Sequence, residues 1–137
     1  MTQGAIERRY KGVQSFLKDG CLFLSLCSIA EQVVNTHLDI LSMLQYARAE
    51  GWIDDNNDLT INGQCSMLAF ATGKHWKREV LKELPAAIPE AMFTVEKWVN
   101  ARTGYTHFRR RFVDTVTDSI TVKEGSLVAY YCYSYES

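Results

Sequence analysis

The segment from Cys21 to Val34 constrains the fold of this chain most, because a helix over these residues is apolar on nearly every side. Only four of its residues are polar: Ser25, Ser28, Glu31 and Gln32. A helix with this pattern belongs inside a fold and not on its surface. The sequence therefore predicts a buried central helix on which the other elements pack.

Cys21 opens this predicted helix, directly after a turn formed by Asp19 and Gly20. Backbone N–H groups in the first turn of a helix lack intrahelical partners, and the helix dipole is positive there, so both favour a thiolate. We expect the pKa of Cys21 to be lowered and its thiol to react faster than the other three cysteines. The alternative is a cysteine that only packs, which is the commoner role of an apolar-helix cysteine.

The same apolar run also invites interpretation as a signal peptide. Residues 22–30 would be its apolar core, with Arg8, Arg9 and Lys11 ahead of it and Ala30 at the cleavage site. Asp19 interrupts the approach to the apolar run, which argues against this reading. We expect the segment to be retained as part of the fold and the protein to be cytoplasmic or carried in a phage particle.

A chain of 137 residues predicts a single domain over 1–137, large enough to bury about two-thirds of its unfolded surface. The net charge of −1 gives no electrostatic reason to expect nucleic acid or an anionic membrane as a partner. The four cysteines include no CxxC pair, so a zinc site and a redox dithiol are not expected. No metal or other cofactor is predicted.

Helices are predicted in the first half of the chain. After the helix that begins at Cys21, Asn35 and Thr36 can cap a second helix that runs to Gly51. A short third helix is expected from about Gly63 to Thr72.

Strands are predicted in the second half, where β-branched and aromatic residues are separated by Pro, Gly and Asn. The predicted strands are Val80 and Leu81, Met92 to Val99, Thr106 to Val113, and Leu127 to Tyr135. Helices followed by strands predict an α+β domain, in which N-terminal helices with the buried cysteine-bearing helix at their centre pack on a C-terminal antiparallel sheet.

One of the three histidines is placed like a catalytic base. His37 near a helix start and His75 in a lysine-rich turn are interpreted as surface or capping residues. His107 follows a turn and opens a predicted strand, where its imidazole could meet a thiol held at a helix start.

Four features of the chain follow the order of a known pattern: Gln14, then the turn into Cys21, then Gly104 to Phe108 around His107, and then Asp118. In these residues the chain resembles the papain-like cysteine peptidase superfamily, especially the small branch related to peptidases that process double-glycine bacteriocin leaders. It is also similar to a family of small proteins from bacterial and phage genomes. The resemblance extends from about Gln14 to Tyr135 and implies a papain-like fold.

The resemblance also implies a role for each residue of the pattern. Cys21 would be the nucleophile, and His107 the general base and then acid. Asp118 would orient the imidazole, although Asp114 is a competing carboxylate nearby. Gln14 would donate its side-chain amide to the oxyanion, beside the backbone N–H of Cys21.

Three consecutive arginines, Arg109, Arg110 and Arg111, follow the His107 region, where the family usually has apolar residues. On a strand, Arg109 and Arg111 would share the face of His107, and Arg110 would lie on the other face. We expect either a solvated strip on an edge strand or contact with a partner protein, since arginine is enriched at interfaces.

Three functions are consistent with these residues. The first is a cysteine hydrolase that cleaves a peptide or amide bond in a peptide or protein substrate. The second is a catalytically inactive papain-like module that serves as a structural or docking subunit, such as a phage tail component or a phage inhibitor of a host protein. The third is a thiol acyltransferase or deamidase, which would use the same triad with a different acceptor.

Overall fold

The structure is a computed structural model that describes residues 20–111, 113 and 124–136. Its helices are α1 (Gly20–Val34), α2 (Ile40–Ala49) and α3 (Ile61–Thr72), and its strands are β1 (His75–Leu81), β2 (Met92–Val99), β3 (Thr106–Arg110) and β4 (Ser126–Glu136). The helices precede the strands and pack on them, so the predicted α+β class is confirmed.

The strands form one antiparallel sheet in the order β1-β4-β2-β3. The 11-residue β4 lies between β1 and β2, and a register shift in its pairing with β2 falls at Lys97 and Trp98. Among the described strands, β1 and β3 are therefore the edge strands. The edge position of β3 matters for the site, because one side of an edge strand has backbone groups that no neighbouring strand pairs.

Helix α1 is the centre of the core, as its composition predicts. Residues 21–31 are all buried, including the polar Ser25, Ser28 and Glu31. The helix contacts β3, β2 and α3, and α3 also contacts β1. On the sheet, the core is built by Trp76, Val95, Phe108 and Tyr133, one from each strand.

The start of α2 differs from the prediction that Asn35 and Thr36 cap it. Its N-cap is Asp39, whose carboxylate accepts the Ser42 N–H at 3.1 Å. Asn35 instead adopts a left-handed conformation with φ of 55° just after α1, which is typical of asparagine at the end of a helix. The capping prediction was therefore wrong, and the second helix begins later than Asn35 suggested.

Helix α3 has a cap at each end. Thr60 precedes it and accepts the Gly63 N–H at 2.8 Å, so the helix begins slightly before the predicted start. Gly73 ends it with φ of 71°, a left-handed conformation that glycine adopts without strain, and its N–H donates to Ala69 O.

The interpretation of His75 as part of a lysine-rich turn was wrong. Strand β1 begins at His75, and it pairs along its length with β4. Trp76 is buried, and its indole N–H donates to Thr72 Oγ1 at 2.7 Å. The strand was recognised only at Val80 and Leu81, because alternating charged residues fill its exposed positions.

The remaining strands follow the prediction closely. β2 has the predicted bounds, whereas β3 ends at Arg110 and not at Val113. The aromatic residues of β4 belong to the core: Tyr133 is fully buried, and Tyr131 and Tyr135 pack against the core cluster. Within the described residues, no helix has the length and apolar character needed to cross a membrane.

Gly63 is required by the close approach of α3 to the preceding segment. A Cβ built there lies 2.6 Å from both Thr60 Oγ1 and Trp52 O, which is closer than Cβ contacts allow. We expect Gly63→Ala to lower the free energy of unfolding by about 1 to 3 kcal/mol, as overpacking does. Urea unfolding followed by circular dichroism measures this, with Ser66→Ala at an exposed position of the same helix as the control. Equal midpoints for the two variants would contradict the steric argument.

Candidate functional site

The Cys21 thiol contacts the edge of the sheet. Cys21 lies in the first turn of α1, and its Sγ accepts the backbone N–H of Phe108 on β3 at 3.3 Å. The two residues are 87 positions apart in the chain, and the contact is buried. If β3 had a second neighbouring strand, the Phe108 N–H would donate a hydrogen bond to that strand. An N–H that donates to sulfur favours the thiolate over the thiol.

His107 precedes the residue whose amide contacts Cys21. It is 7% exposed and pairs with Trp98 of β2 across the sheet. Alternation along the strand places its side chain on the side of Arg109, whereas Phe108 and Arg110 face α1. The start of α1 therefore contacts the backbone of β3 at Phe108, one position after His107. A contact between the Cys21 thiol and the His107 imidazole stays a prediction.

A buried ion pair lies on the same side of the sheet as His107. Arg109 Nε donates to Glu96 Oε1 at 2.8 Å, and both side chains are less than 10% exposed. Trp98 Nε1 donates to the same carboxylate oxygen at 3.0 Å, and the Arg109 guanidinium lies over the Trp98 ring. These contacts fix the strand pair that carries His107.

Sequence reasoning missed Glu96. The alternation of side chains along Met92 to Val99 shows which residues share a face of the strand with Glu96. The neighbouring residues in the sequence do not show that this face is buried. The signal that could have found it is its cross-strand partner, since Glu96 and Arg109 pair in the β2–β3 register.

Arg110 lies on the opposite side, against α1. Its Nη1 donates to Ser28 Oγ at 3.0 Å and its Nη2 to Gln32 Oε1 at 2.6 Å. The expected solvated strip is therefore wrong for Arg109 and Arg110, which are both buried within the chain, whereas Arg111 is half-buried. Of the two alternatives, an edge strand or a partner contact, the described sheet shows the first: their strand β3 is at its edge.

Three of the predicted site residues lie outside the described residues: Gln14, Asp114 and Asp118. Of the other histidines, His37 is exposed and its Nδ1 lies 3.8 Å from Glu31 Oε1, while His75 is exposed on β1. Among residues 20–111, 113 and 124–136, no group of three or more His, Cys, Asp or Glu side chains is arranged to hold a metal ion.

None of the four cysteines forms a disulfide, and two of them have an environment that disfavours the thiolate. Burial raises the pKa of the Cys65 thiol, with Arg78 partly opposing the shift. Burial also raises the pKa of Cys132, which Thr94 opposes through a hydrogen bond and Glu79 reinforces through its charge. Neither thiol is suited to nucleophilic chemistry near neutral pH.

A scan against protein-family models and searches of curated proteins and of solved structures return no match to the chain.

Removing the carboxylate charge of the buried pair should destabilise the fold. In Glu96→Gln the Arg109 guanidinium stays in place but loses the anion to which its Nε donates. We expect a loss of about 3 kcal/mol in the free energy of unfolding, the scale seen when one partner of a buried pair is removed. Glu79→Gln on the exposed side of β1 is the control for urea unfolding, and a loss no larger than in that control would show that the pair is not stabilising.

The raised pKa values of Cys65 and Cys132 predict their alkylation as a function of pH. Because only the thiolate reacts, and a raised pKa moves its formation to higher pH, both residues should label with iodoacetamide at a higher pH than an unfolded cysteine. Mass-spectrometric mapping of native and urea-unfolded protein across pH tests this. Identical profiles in the two states would contradict the effect of burial.

Proposed function

We propose that this protein is a papain-like cysteine hydrolase that cleaves a peptide or amide bond with Cys21 as its nucleophile. The proposal depends on one observation, the hydrogen bond from the Phe108 N–H to Cys21 Sγ at 3.3 Å. This contact holds a cysteine in the first turn of a helix against a strand, one residue from a histidine. A thiol and an imidazole carried by rigid elements are the minimum that thiol hydrolysis requires.

Two features of this position support a reactive sulfur. Cys21 is the second residue of α1. Backbone N–H groups in the first turn of a helix and the positive end of the helix dipole generally favour negative charge there. The Phe108 amide adds a donor aimed directly at the sulfur. Neither Cys65 nor Cys132 lies in the first turn of a helix, and burial raises the pKa of each.

The proposed reaction proceeds through a thioester. The Cys21 thiolate attacks the carbonyl carbon, and the carbonyl electron pair moves onto oxygen, where the Cys21 backbone N–H donates to it. The tetrahedral intermediate then collapses: its C–N bond breaks, and the protonated His107 gives its proton to the departing amine. His107 next takes a proton from water, which attacks the thioester, releases the acid and returns the thiolate.

The resemblance to papain-like peptidases supplies the remaining roles in this proposal. Gln14 would be the second oxyanion donor, and Asp118, or alternatively Asp114, would hold the imidazole in its working orientation. The order of these residues along the chain supports the assignment.

A second candidate is a catalytically inactive module of the same type. The observation that favours it is burial, because Cys21 is 5% exposed and His107 is 7% exposed. Reactive cysteines are usually in partly exposed sites, whereas a thiol that only satisfies an edge amide can be fully enclosed. The two candidates differ in the reactivity of the thiol, which can be measured without a known substrate.

Iodoacetamide labelling of the native protein, mapped by mass spectrometry across pH, separates the two candidates. A hydrolase predicts that Cys21 labels first and still reacts below pH 7, since each unit of lowered pKa gives about tenfold more thiolate below both pKa values. His107→Gln should slow the labelling of Cys21, and His75→Gln at an exposed histidine should not. A Cys21 that labels no faster than Cys65 would favour the inactive module.

Cys21→Ser distinguishes chemistry from folding. A serine hydroxyl still accepts the Phe108 N–H, so we expect native stability together with loss of bond cleavage. Incubating a mixture of synthetic peptides in water enriched in heavy oxygen then separates a hydrolase from a transferase. Hydrolysis places heavy oxygen in each new carboxyl group, whereas acyl transfer gives a new amide or ester without it. Incorporation that persists in Cys21→Ser would overturn the proposal.

A further inference from the structure

The edge of the sheet far from Cys21 presents an exposed strand. Among the described strands, β1 pairs with β4 alone, so it is the edge opposite to β3. Its charged residues Lys77 and Glu79 are exposed, and the apolar side chain of Val80 is also accessible, with 47% of the residue exposed. A strand at the edge of a sheet has a row of backbone N–H and C=O groups with which another strand can pair.

Helix α3 leaves space beside this edge. The Tyr133 hydroxyl of β4 donates to Gln64 Oε1 in a buried hydrogen bond, so α3 lies over β4 at this point. Alternation along β1 places Val80 on the same side of the sheet as Trp76, which is the side of the helices. The exposure of Val80 shows that α3 does not cover the end of β1. A strand added beside β1 therefore lies further from α3 than β1 does.

The charges of β1 are complementary to those of a second copy of the same strand. Lys77 and Glu79 are two residues apart, so they share one face of the sheet. In an antiparallel pairing of two β1 strands about a two-fold axis at Arg78, Lys77 of each copy lies opposite Glu79 of the other. Opposite charges directly across a strand pair are stabilising, and the symmetry supplies this contact twice.

The same charges disfavour the neighbouring registers. Moving the axis by one residue places it at Lys77 or at Glu79, and that residue then lies opposite its own copy. Like charges directly opposite each other destabilise a strand pair. The alternation of Lys77 and Glu79 thus selects the register with its axis at Arg78.

The helix side of β1 is compatible with this register. Val80 lies opposite Trp76 of the second copy, which gives a β-branched and aromatic cross-strand pair on each side of the axis. Arg78 lies opposite its own copy, but its guanidinium is 4.4 Å from the centre of the Tyr131 ring on β4. The charge of Arg78 is therefore directed towards its own sheet, and the greater separation lowers the repulsion across the axis.

We propose that two copies of this chain pair through β1, so that their four-stranded sheets form one continuous antiparallel sheet. A seven-residue edge is smaller than a standard protein interface, so the association belongs to the weak class. The surface is at the opposite edge of the sheet from the Cys21 contact, and the inference does not depend on the proposed hydrolysis.

Sedimentation equilibrium of the full chain, from about 10 μM to about 1 mM, measures the association. We expect a monomer–dimer equilibrium that added salt weakens, because exposed ion pairs are screened. In NMR spectra over the same range, the amide shifts of β1 should change with concentration. A monomer at every concentration would overturn self-pairing and leave the edge to a strand of a different protein. Concentration-dependent shifts confined to another surface would also overturn the proposal.

Charge-reversed variants test the register. Lys77→Glu and Glu79→Lys each place like charges opposite one another in a homodimer, and each should weaken dimerisation about tenfold. An equimolar mixture of the two variants should associate as well as the original chain, because every glutamate then lies opposite a lysine. Glu50→Lys, at an exposed position after α2, makes the same change in net charge as Glu79→Lys and should leave dimerisation unchanged.

Circular dichroism checks that each variant is folded before its association is compared. Equal dimerisation of all the variants would overturn the pairing through β1. Weakening in both single variants without recovery in their mixture would overturn the register at Arg78. Both results are independent of whether Cys21 proves to be nucleophilic.

Discussion

Complete burial of α1 is the constraint on which the rest of the structure depends. Residues 21–31 are all buried, so the helix must be covered from several directions at once. The sheet covers one side through β2 and β3, and α3 covers another. Because the helix begins at the edge strand, its burial brings the first-turn cysteine against β3. The same packing that forms the core therefore forms the candidate site.

Polar contacts fix α1 on β3 at two places. Near the start of the helix, Cys21 Sγ accepts the Phe108 N–H, and further along, Ser28 and Gln32 accept from Arg110. Hydrophobic contact alone is non-directional and would permit the helix to slide along the strand. Hydrogen bonds at two separated positions select one register, because a shift of the helix would leave buried donors without acceptors. The buried Ser28 thus helps to position α1, and with it Cys21, against β3 by accepting from Arg110.

The sequence predicts helices and strands that have a hydrophobic or β-branched pattern of their own. It misses elements that form only through pairing with residues far away in the chain. The apolar run of α1 and the β-branched residues of β2 each identify their own element, and both predictions are confirmed. The first residues of β1 were missed because they form a strand by pairing with β4, while their charged side chains resemble a turn.

The candidate site shows the same division. Proximity of Cys21 and the His107 region was predictable, since both begin elements that the α+β arrangement brings together. The burial of Arg109 and Arg110 was not, because Glu96 and Ser28, which accept from them, are far away in sequence. Three consecutive arginines resemble a solvated strip until their acceptors are known. Gln14 and Asp118, which the resemblance assigns to the oxyanion and the imidazole, remain predictions.

The edge position of β3 is compatible with both the burial of the Cys21 thiol and the chemical role proposed for it. An internal strand has every backbone amide paired with a neighbour, so no amide would remain for a sulfur. At the edge, the Phe108 N–H is available, and the helix start covers it with Cys21 instead of another strand. This contact protects the edge from pairing with another chain. It also gives the sulfur a donor that favours its anionic form, so the fold and the proposed chemistry require the same contact.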